Sequence, residues 1–329
     1  MFGSPRGSKR VVVLGSTGTI GRATVGALIE RGHHVICPVR PASCPEARSR
    51  LHPRAEIRPC DVIDPEALAQ GGFHGESFDV LVSCLASRTG APQDAWAVDH
   101  AAHSHALRIA RGAGISHMVL LSAICVQKPR LEFQKAKLAF EGELIGSGLT
   151  FSIVRPTAYF KSLSGQIDRV RRGKSYLVFG NGELTACKPI SDRDLGAYLA
   201  ECVDDERRWN RVLPIGGPGP AITPLAQGKR LFELLNKTPR IRHVPVALLD
   251  AIIAVLSVLG TVSGRMRDKA ELARIGRYYA TESMLVLDTA TGRYDADATP
   301  STGDDTIFDF YARTLADGAV VDLGDHAVF

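Results

Sequence analysis

The stretch from residue 11 to residue 21 constrains the fold more than any other part of the chain. It reads VVVLGSTGTIG, and a helical pattern begins directly after it. The β-branched and apolar residues at its start predict a strand that is buried on both faces. The glycine spacing G-x-x-G-x-x-G then suits a turn whose backbone approaches a pyrophosphate at a helix N-terminus. We therefore expect dinucleotide contacts from Gly15, Ser16, Thr17, Gly18, Thr19, Ile20 and Gly21. An ordinary turn rich in small residues is the alternative.

Strands and helical segments alternate through the first half of the chain. After a first helix at about 20–31, strands are predicted at 34–39, 55–60, 78–84, 117–122 and 150–156. This alternation over roughly 150 residues predicts an α/β fold, a Rossmann-type doubly wound parallel sheet. The rhythm changes after Pro156. We therefore expect an NADP-binding domain at 1–156 and a smaller C-terminal substrate-binding region at 157–329, with a return strand at 212–216.

The composition is that of a globular protein and argues against several classes. The chain has 329 residues, of which 45% are hydrophobic and 23% are charged, so it can bury a large core. Its net charge is +5, but the basic residues are scattered, and we expect no nucleic-acid partner. The seven cysteines form no C-x-x-C pair, which predicts free thiols in a reducing compartment. Residues 1–10 are too short and polar for a signal or transit peptide, so we expect a cytoplasmic location.

The end of the second predicted strand indicates which nicotinamide cofactor is bound. Arg40 stands about twenty residues after the glycine turn, and Arg48 and Arg50 follow it. An acidic side chain here would bind the ribose 2′-hydroxyl of NAD, whereas a guanidinium suits the 2′-phosphate of NADPH. We therefore predict NADPH, and a solvated surface arginine is the alternative. The ends of the third and fourth strands are expected to add cofactor contacts from Asp61, Val62 and Ser83.

Three histidines lie close together on the predicted helix 92–112, which raises the question of a metal site. They are His100, His103 and His105. Only the first two share a helix face, and no carboxylate or cysteine is spaced to complete a ligand set. We therefore expect a polar helix surface here and no metal held by the protein.

An apolar run at 246–260 is interrupted only by Asp250. A helix that spans a bilayer needs about 20 residues, so this run is too short to cross one. Two interpretations stay open: a buried helix, or a helix that lies against a membrane surface or an apolar ligand. The basic residues that follow would suit anionic headgroups; they are Arg265, Arg267, Lys269, Arg274 and Arg277.

Three positions near the fifth strand carry the chemistry. The layout resembles the short-chain dehydrogenase/reductase superfamily, in which a Ser ends that strand and a Tyr-x-x-x-Lys follows. Ser122 and Lys137 stand at the matching positions, but Phe133 occupies the place of the tyrosine. The resemblance implies that Lys137 holds the nicotinamide ribose. Phenylalanine cannot donate a proton to a developing alkoxide, which argues against ordinary carbonyl reduction. A conjugated carbon–carbon double bond suits the site better, because its reduction develops no alkoxide.

Four segments are similar to the divinyl chlorophyllide 8-vinyl-reductase family. They are LEFQKAKL at 131–138, YYATESMLVLD at 278–288, GRY at 292–294 and LGDHAVF at 323–329. The first could be shared with other atypical reductases, whereas the others are specific to this family. The resemblance extends from about residue 10 to the end. It implies NADPH-dependent reduction of the C8 vinyl group of divinyl chlorophyllide or divinyl protochlorophyllide to ethyl.

The resemblance also implies a magnesium tetrapyrrole as the substrate, with the magnesium belonging to the substrate. Such a flat, apolar molecule needs a wide apolar cleft, which residues 157–290 could line. We expect Phe133 to pack against cofactor or macrocycle, and Tyr159 to contact the substrate. A propionate group would need a cation, for which the candidates are Lys161, Arg155 and Lys188.

Several alternatives stay open at this point. The proton donor could be water, Ser122 or Tyr159. The missing tyrosine also fits a non-catalytic NADP-binding redox sensor or assembly factor. Another atypical reductase or a sugar-nucleotide epimerase is a further alternative, although Phe133 counts against an epimerase. Plant members of the family carry a transit peptide, and its absence here implies a photosynthetic bacterium. Oligomeric state and membrane contact through 246–260 are left open.

Overall fold

Residues 7–318 are described by a computed structural model, which alternates strands and helices as the sequence predicts. The strands are β1 (Arg10–Leu14), β2 (His34–Val39), β3 (Glu56–Pro59), β4 (Val80–Ser83), β5 (His117–Leu121), β6 (Thr150–Pro156), β7 (Tyr176–Phe179), β8 (Arg211–Ile215), β9 (Ile241–Val244), β10 (Val286–Asp288) and β11 (Arg293–Asp295). The helices are α1 (Thr19–Glu30), α2 (Cys44–Arg50), α3 (Pro65–Ala67), α4 (Pro92–Ala95), α5 (His103–Gly112), α6 (Glu132–Ile145), α7 (Ile167–Arg171), α8 (Asp192–Cys202), α9 (Pro224–Leu234), α10 (Val246–Leu259), α11 (Gly264–Thr281) and α12 (Ile307–Ala316).

A seven-stranded sheet forms the centre of the molecule, in the order β3-β2-β1-β4-β5-β6-β8. Each neighbouring pair of these strands runs parallel. The order reverses beside β1, as it does in doubly wound dinucleotide-binding folds. The predicted α/β class, a Rossmann-type doubly wound parallel sheet, is therefore confirmed. The predicted return strand is β8, which extends the sheet beyond β6.

The sheet is covered on both faces, and successive side chains of β1 point into opposite layers. Val11 and Val13 pack in a cluster that includes α1 and α8. Val12 and Leu14 pack in a second cluster, on the side of α5 and α6. All four are fully buried, and each such side chain contributes about 1.5–3 kcal/mol by its burial. The apolar run at the start of the glycine motif is thus the middle of a three-layer core.

The chain after Pro156 serves two structural roles. The segment from α8 to β8 returns to the large sheet and covers one of its faces. Helices α7, α9, α11 and α12 contribute to a third apolar cluster that includes Phe160, Tyr176, Phe232 and Tyr311. The division of the chain at 156/157 stays a prediction.

Helix α10 occupies most of the apolar run 246–260, and none of its residues is buried. The interpretation of this run as a buried helix is therefore wrong. Within residues 7–318, the helices are too short or too polar to cross a membrane. The family-like segment 323–329 and the first six residues of the polar leader lie outside the described part of the chain.

Candidate functional site

The glycine turn joins β1 to α1 at the carboxyl edge of the sheet. Gly15 has a φ of +71°, and a Cβ there would lie 2.6 Å from the backbone of Cys84, so only glycine fits. Gly18 precedes the helix, and no side chain of the described residues caps its first turn. The free N–H groups of that turn suit a pyrophosphate. The other predicted contacts lie in the same turn and at the start of α1: Ser16, Thr17, Thr19, Ile20 and Gly21.

A cavity of about 150 Å³ opens beside this turn. It is lined by Thr17, Arg22, Arg40, Ser43, Glu46, Ala47, Arg50 and Leu51. Arg22 was not singled out by the sequence, although it directly follows the last glycine, and its guanidinium donates to the Thr17 carbonyl at 2.6 Å. Arg50 is paired with Glu46 at 3.0 Å. Three guanidinium groups around one small cavity suit a phosphate group.

Two further predicted cofactor contacts follow β3. Asp61 accepts a hydrogen bond from the backbone N–H of Ile63 at 3.2 Å, which fixes the loop. Val62 is buried in the cluster beneath β1. Asp61 and Val62 therefore place one polar and one apolar side chain just after the end of β3.

Ser83, the last residue of β4, is held by a histidine. Its hydroxyl lies 2.8 Å from Nε2 of His103, and Nδ1 of that ring lies 2.9 Å from the Val98 carbonyl. Burial lowers the pKa of His103 to about 4, so the ring is neutral at neutral pH. Because a carbonyl only accepts, Nδ1 carries the hydrogen and Nε2 accepts from Ser83. One of the three histidines considered as metal ligands is thus part of a buried hydrogen-bonded pair.

Lys137 lies on α6 and is oriented by a carboxylate that the sequence did not indicate. Its Nζ is 2.9 Å from Oδ1 of Asp99, whose side chain is fully buried. Asp99 also accepts from the backbone N–H of Ser87 at 3.2 Å and from the hydroxyl of the same residue. A buried carboxylate is tolerated when it is paired and hydrogen-bonded in this way. The ammonium of Lys137 therefore has a fixed position near the sheet edge.

Ser122, which lines the same small cavity as Lys137 and Asp99, shares a buried carboxylate partner with Arg155. The hydroxyl of Ser122 donates to the carboxylate of Glu141. Arg155 forms an ion pair with the same carboxylate, and its Nε lies 3.2 Å from Oε1. Ser122 was predicted for catalysis and Arg155 was a candidate for the propionate. In the structure both side chains bind the carboxylate of Glu141.

Phe133 contributes to an apolar wall between α6 and α11. A Cβ built on Gly90 would lie 2.9 Å from the Ile275 side chain and 3.6 Å from the Phe133 ring. Helix α11 is fixed here because the hydroxyl of Tyr278 donates to the carbonyl of Cys125 at 2.9 Å. The half-buried ring at the tyrosine position therefore lies in the same apolar cluster as Ile275 of the C-terminal region.

Two tyrosines approach this wall. The hydroxyl of Tyr279 points at Sγ of Cys125, 3.9 Å away, which is a weak acceptor. Burial of its hydroxyl end, with Cys125 and Tyr159 close by, raises the pKa of Tyr279 well above its ordinary value. Burial, with Cys125 and Cys84 close by, also raises the pKa of Tyr159. Both phenols therefore stay protonated near neutral pH.

The predicted site residues separate into two groups. Two of them, Lys137 and Tyr159, lie close enough to Cys125 to interact with it electrostatically, and so does Tyr279, which the sequence did not predict as a site residue. Lys161 follows Tyr159 in a short 3₁₀ turn and is half-buried. Lys188, in contrast, donates to the Thr299 carbonyl at 2.9 Å. Among residues 7–318, no group of three or more His, Cys, Asp or Glu side chains could hold a metal ion.

Comparisons with known proteins agree with this geometry. A family model described as NAD(P)H-binding matches residues 15–206, more than half of the chain. The chain is 48% identical to the chloroplastic divinyl chlorophyllide a 8-vinyl-reductase of Oryza sativa subsp. indica, over 97% of this chain and 82% of that protein. It is 49% identical to the protein of the same name from Cucumis sativus, over 97% and 79% of the two chains. The fold is similar to that of leucoanthocyanidin reductase from Vitis vinifera in its complex with NADPH, with a TM-score of 0.67 and 15% identity over 93% of this chain and 99% of that one.

Proposed function

The chain belongs to the divinyl chlorophyllide a 8-vinyl-reductase family, and on this premise we propose that it reduces the C8 vinyl group of a divinyl chlorophyllide to ethyl with NADPH. It is an oxidoreductase with an NAD(P)H-binding domain. One observation carries the choice of reaction. Lys137 keeps a fixed, buried partner at the sheet edge, while Phe133 replaces the proton donor that carbonyl reduction requires.

The preference for NADPH over NADH is supported by the cavity beside the glycine turn. Arg22, Arg40 and Arg50 line it, and only Glu46 among its lining residues carries a negative charge. A 2′-phosphate carries about two negative charges at neutral pH and accepts several hydrogen bonds, which guanidinium groups supply in a planar array. A ribose 2′-hydroxyl gains much less from the same surroundings.

When bound, NADPH supplies a hydride to the vinyl group. We assign Lys137 to the nicotinamide ribose, with Asp99 as the positioning residue that holds its ammonium in place. Phe133 and Ile275 form an apolar wall against which a flat macrocycle can pack. Such a wall excludes water from the reacting carbon atoms, so that the proton comes from a defined group.

We assign the proton to Tyr279. Addition of a hydride to one vinyl carbon leaves negative charge in the conjugated macrocycle, and a proton on the other vinyl carbon completes the ethyl group. The raised pKa of Tyr279 keeps its phenol protonated until that charge develops. The hydroxyl of Tyr279 has only the weak acceptor Cys125 Sγ, 3.9 Å away, as its partner, whereas the hydroxyl of Ser122 already donates to Glu141. Tyr159 and water are the competing donors.

Lys161 is the best candidate among the three cations considered for the propionate. Arg155 is paired with Glu141, and Lys188 donates to a backbone carbonyl. A long, half-buried lysine beside Tyr159 can place its ammonium at the edge of a macrocycle. The choice between chlorophyllide and protochlorophyllide, and a location in the cytoplasm of a photosynthetic bacterium, stay predictions.

The experiment that tests the proposed function is an anaerobic incubation of the purified protein with NADPH and divinyl chlorophyllide a. Chromatography should show the 8-ethyl product and an equal amount of oxidised cofactor. The Lys137→Met variant should form far less product, while Lys135→Met, an exposed neighbour on the same helix, should resemble the unchanged protein. Cofactor binding without any product would instead favour a non-catalytic NADP sensor.

A further inference from the structure

Helix α10 exposes an unusually large apolar surface. The side chains Leu248, Ile252, Val255 and Leu259 follow the spacing i, i+4, i+7 and i+11, which places them on one face of the helix. Their exposed fractions are 52%, 40%, 60% and 46%, and Val258 beside them is 70% exposed. The loop that follows adds Val262, which is 87% exposed. Water-soluble monomers rarely leave such a contiguous patch uncovered.

The opposite face of α10 is covered by α11, so the two helices form a hairpin. Arg277 on α11 forms an ion pair with Asp250 on α10. One turn earlier on α11, Arg274 donates to the hydroxyl of Ser257 at 2.8 Å. At the bend, a Cβ on Gly260 would lie 3.1 Å from the backbone of α11, so the helices approach closely there. These contacts fix which face of α10 points outward.

Basic side chains stand beside the outward-facing patch. Arg265, Arg267 and Lys269, in the first turns of α11, are exposed and have no ion pair within residues 7–318. Asp268 is the exposed acid among them. An apolar face next to basic side chains matches the interface of a bilayer that carries anionic headgroups.

We propose that the hairpin 246–281 docks on an anionic lipid surface. Helix α10 has 14 residues and is therefore about 21 Å long, too short to cross a bilayer but suited to lie flat in its interface. Its apolar face enters the boundary between headgroups and acyl chains, and Arg265, Arg267 and Lys269 bind the headgroups. A second copy of this chain would cover the apolar face but would leave these basic residues without a partner.

This surface goes beyond the proposed reaction, and it also lies next to the site. Helix α11 also carries Ile275, which lies beside Gly90 as Phe133 does, and Tyr279, which approaches Cys125. Docking of the hairpin therefore brings the apolar wall of the site close to the bilayer. If the proposed function holds, an apolar macrocycle can then pass from the bilayer to the site with little exposure to water.

The test is co-sedimentation of the full-length protein with vesicles of phosphatidylcholine, with or without phosphatidylglycerol, at low salt. The unchanged protein should bind the anionic vesicles. The double variant Val255→Asp and Val258→Asp should bind at least about tenfold more weakly, because it places two charges in the apolar boundary. The control Ile145→Asp alters a residue that is 49% exposed on α6, and its binding should be unchanged.

A second variant tests the basic side chains without altering an apolar contact. Replacing Arg265, Arg267 and Lys269 by glutamine should remove most of the difference between anionic and neutral vesicles. Circular dichroism and NADPH affinity report folding in each variant, and neither measurement depends on reductase activity. The proposal is overturned if the unchanged protein stays in solution at low salt. It is equally overturned if both hairpin variants bind the vesicles as well as the unchanged protein does. It is also overturned if the double variant Val255→Asp and Val258→Asp converts a dimer to a monomer without weakening vesicle binding.

Discussion

The two walls of the site differ in how their side chains are held. On the side that we assign to the cofactor, Ser83 is hydrogen-bonded to His103 at 2.8 Å and Lys137 is paired with Asp99 at 2.9 Å, all in buried surroundings. On the side that we assign to the substrate, Phe133 and Ile275 both lie beside Gly90 in an apolar cluster. The hydroxyl of Tyr279 on that side has a sulfur at 3.9 Å as its neighbour. One wall is fixed by short polar contacts, and the other is apolar with one weakly bound hydroxyl.

This difference matches two chemical tasks. A nicotinamide has to be held in the same orientation in every turnover, and buried hydrogen bonds provide that precision. A broad macrocycle is bound mainly through its apolar faces, so its wall needs area and dryness more than directional bonds. We therefore expect substitutions on the cofactor side to disturb orientation, and those on the substrate side to disturb proton delivery and water exclusion.

The largest effect is expected on the cofactor side. Lys137→Met should lower kcat by on the order of 10²–10³, because a preorganised cation is lost from the reacting complex. Asp99→Asn should also lower kcat, because the ammonium of Lys137 loses the carboxylate that holds it in position, and it should weaken NADPH binding. Turnover is measured by chromatography, and NADPH affinity by quenching of protein fluorescence. Lys135→Met is the matched control, since Lys135 is exposed and pairs with Glu132 at 2.7 Å. A fully active Lys137→Met protein would contradict the assignment.

The substrate side has its largest expected effect at Tyr279. Tyr279→Phe should lower kcat by on the order of 10² while the KM for NADPH stays unchanged, because a general acid is removed and the cofactor contacts remain. The solvent deuterium isotope effect on kcat should change in the same variant. Tyr278→Phe is the control, since that hydroxyl donates to the backbone and should affect stability more than rate. If Tyr159→Phe shows the larger loss, Tyr159 is the donor and the assignment to Tyr279 is wrong.

The sequence signals for the side that we assign to the cofactor are local. The glycine turn lies between one strand and one helix, and Phe133 and Lys137 are four residues apart on α6. Asp99 was not predicted, because it lies 38 residues from Lys137 and occupies a π-helical segment that follows no 3.6-residue pattern. Tyr279 was quoted only as part of a family-like segment. Its contact with Cys125 spans 154 residues, which no spacing argument could bring together.

The error at 246–260 has a related cause. The run is apolar on nearly every side, so its sequence contains no polar face that marks where water begins. Which face is covered depends on α11, and that contact is visible only in the folded chain. An apolar helix is buried when other elements cover it on all sides. Within residues 7–318, α11 covers one face of α10 and the opposite face stays exposed.

Acid should lower the free energy of unfolding through His103, which lies on the side that we assign to the cofactor. Burial lowers the pKa of His103 to about 4, below its ordinary value of 6.5, so the unfolded chain binds more protons between these pH values. The stabilisation by His103 is therefore complete above pH 6.5 and is lost as the pH falls toward 4, by about 3 kcal/mol. Urea unfolding at a series of pH values should show this slope. His103→Gln should make the slope less steep, while buried His117, whose pKa burial also lowers to about 4, keeps contributing; the exposed His34→Gln should leave the slope unchanged, and an unchanged slope in His103→Gln would contradict the burial argument.

A smaller effect is expected at the arginine-lined cavity beside the glycine turn, which we assign to the 2′-phosphate. Arg40→Ala should raise the KM for NADPH about tenfold and leave the KM for NADH nearly unchanged, because one phosphate contact of roughly 1.4 kcal/mol is lost. Arg22→Ala should act in the same direction. Arg48→Ala is the matched control, since Arg48 lies on the same helix as Arg50 but does not line the cavity. Equal changes for both cofactors would show that Arg40 does not distinguish them.

The smallest effect is expected at the position that separates this site from a carbonyl reductase. Phe133→Tyr places a hydroxyl in the apolar wall beside Gly90 and Ile275, and a buried hydroxyl without a partner costs about 1 kcal/mol or more. Vinyl reduction should therefore slow a few-fold, through a higher KM for the chlorophyllide. Phe133→Leu is the control for ring loss without a new polar group. An unchanged rate in Phe133→Tyr would show that this position need not be apolar, and the contrast between the two walls would then rest on Tyr279 alone.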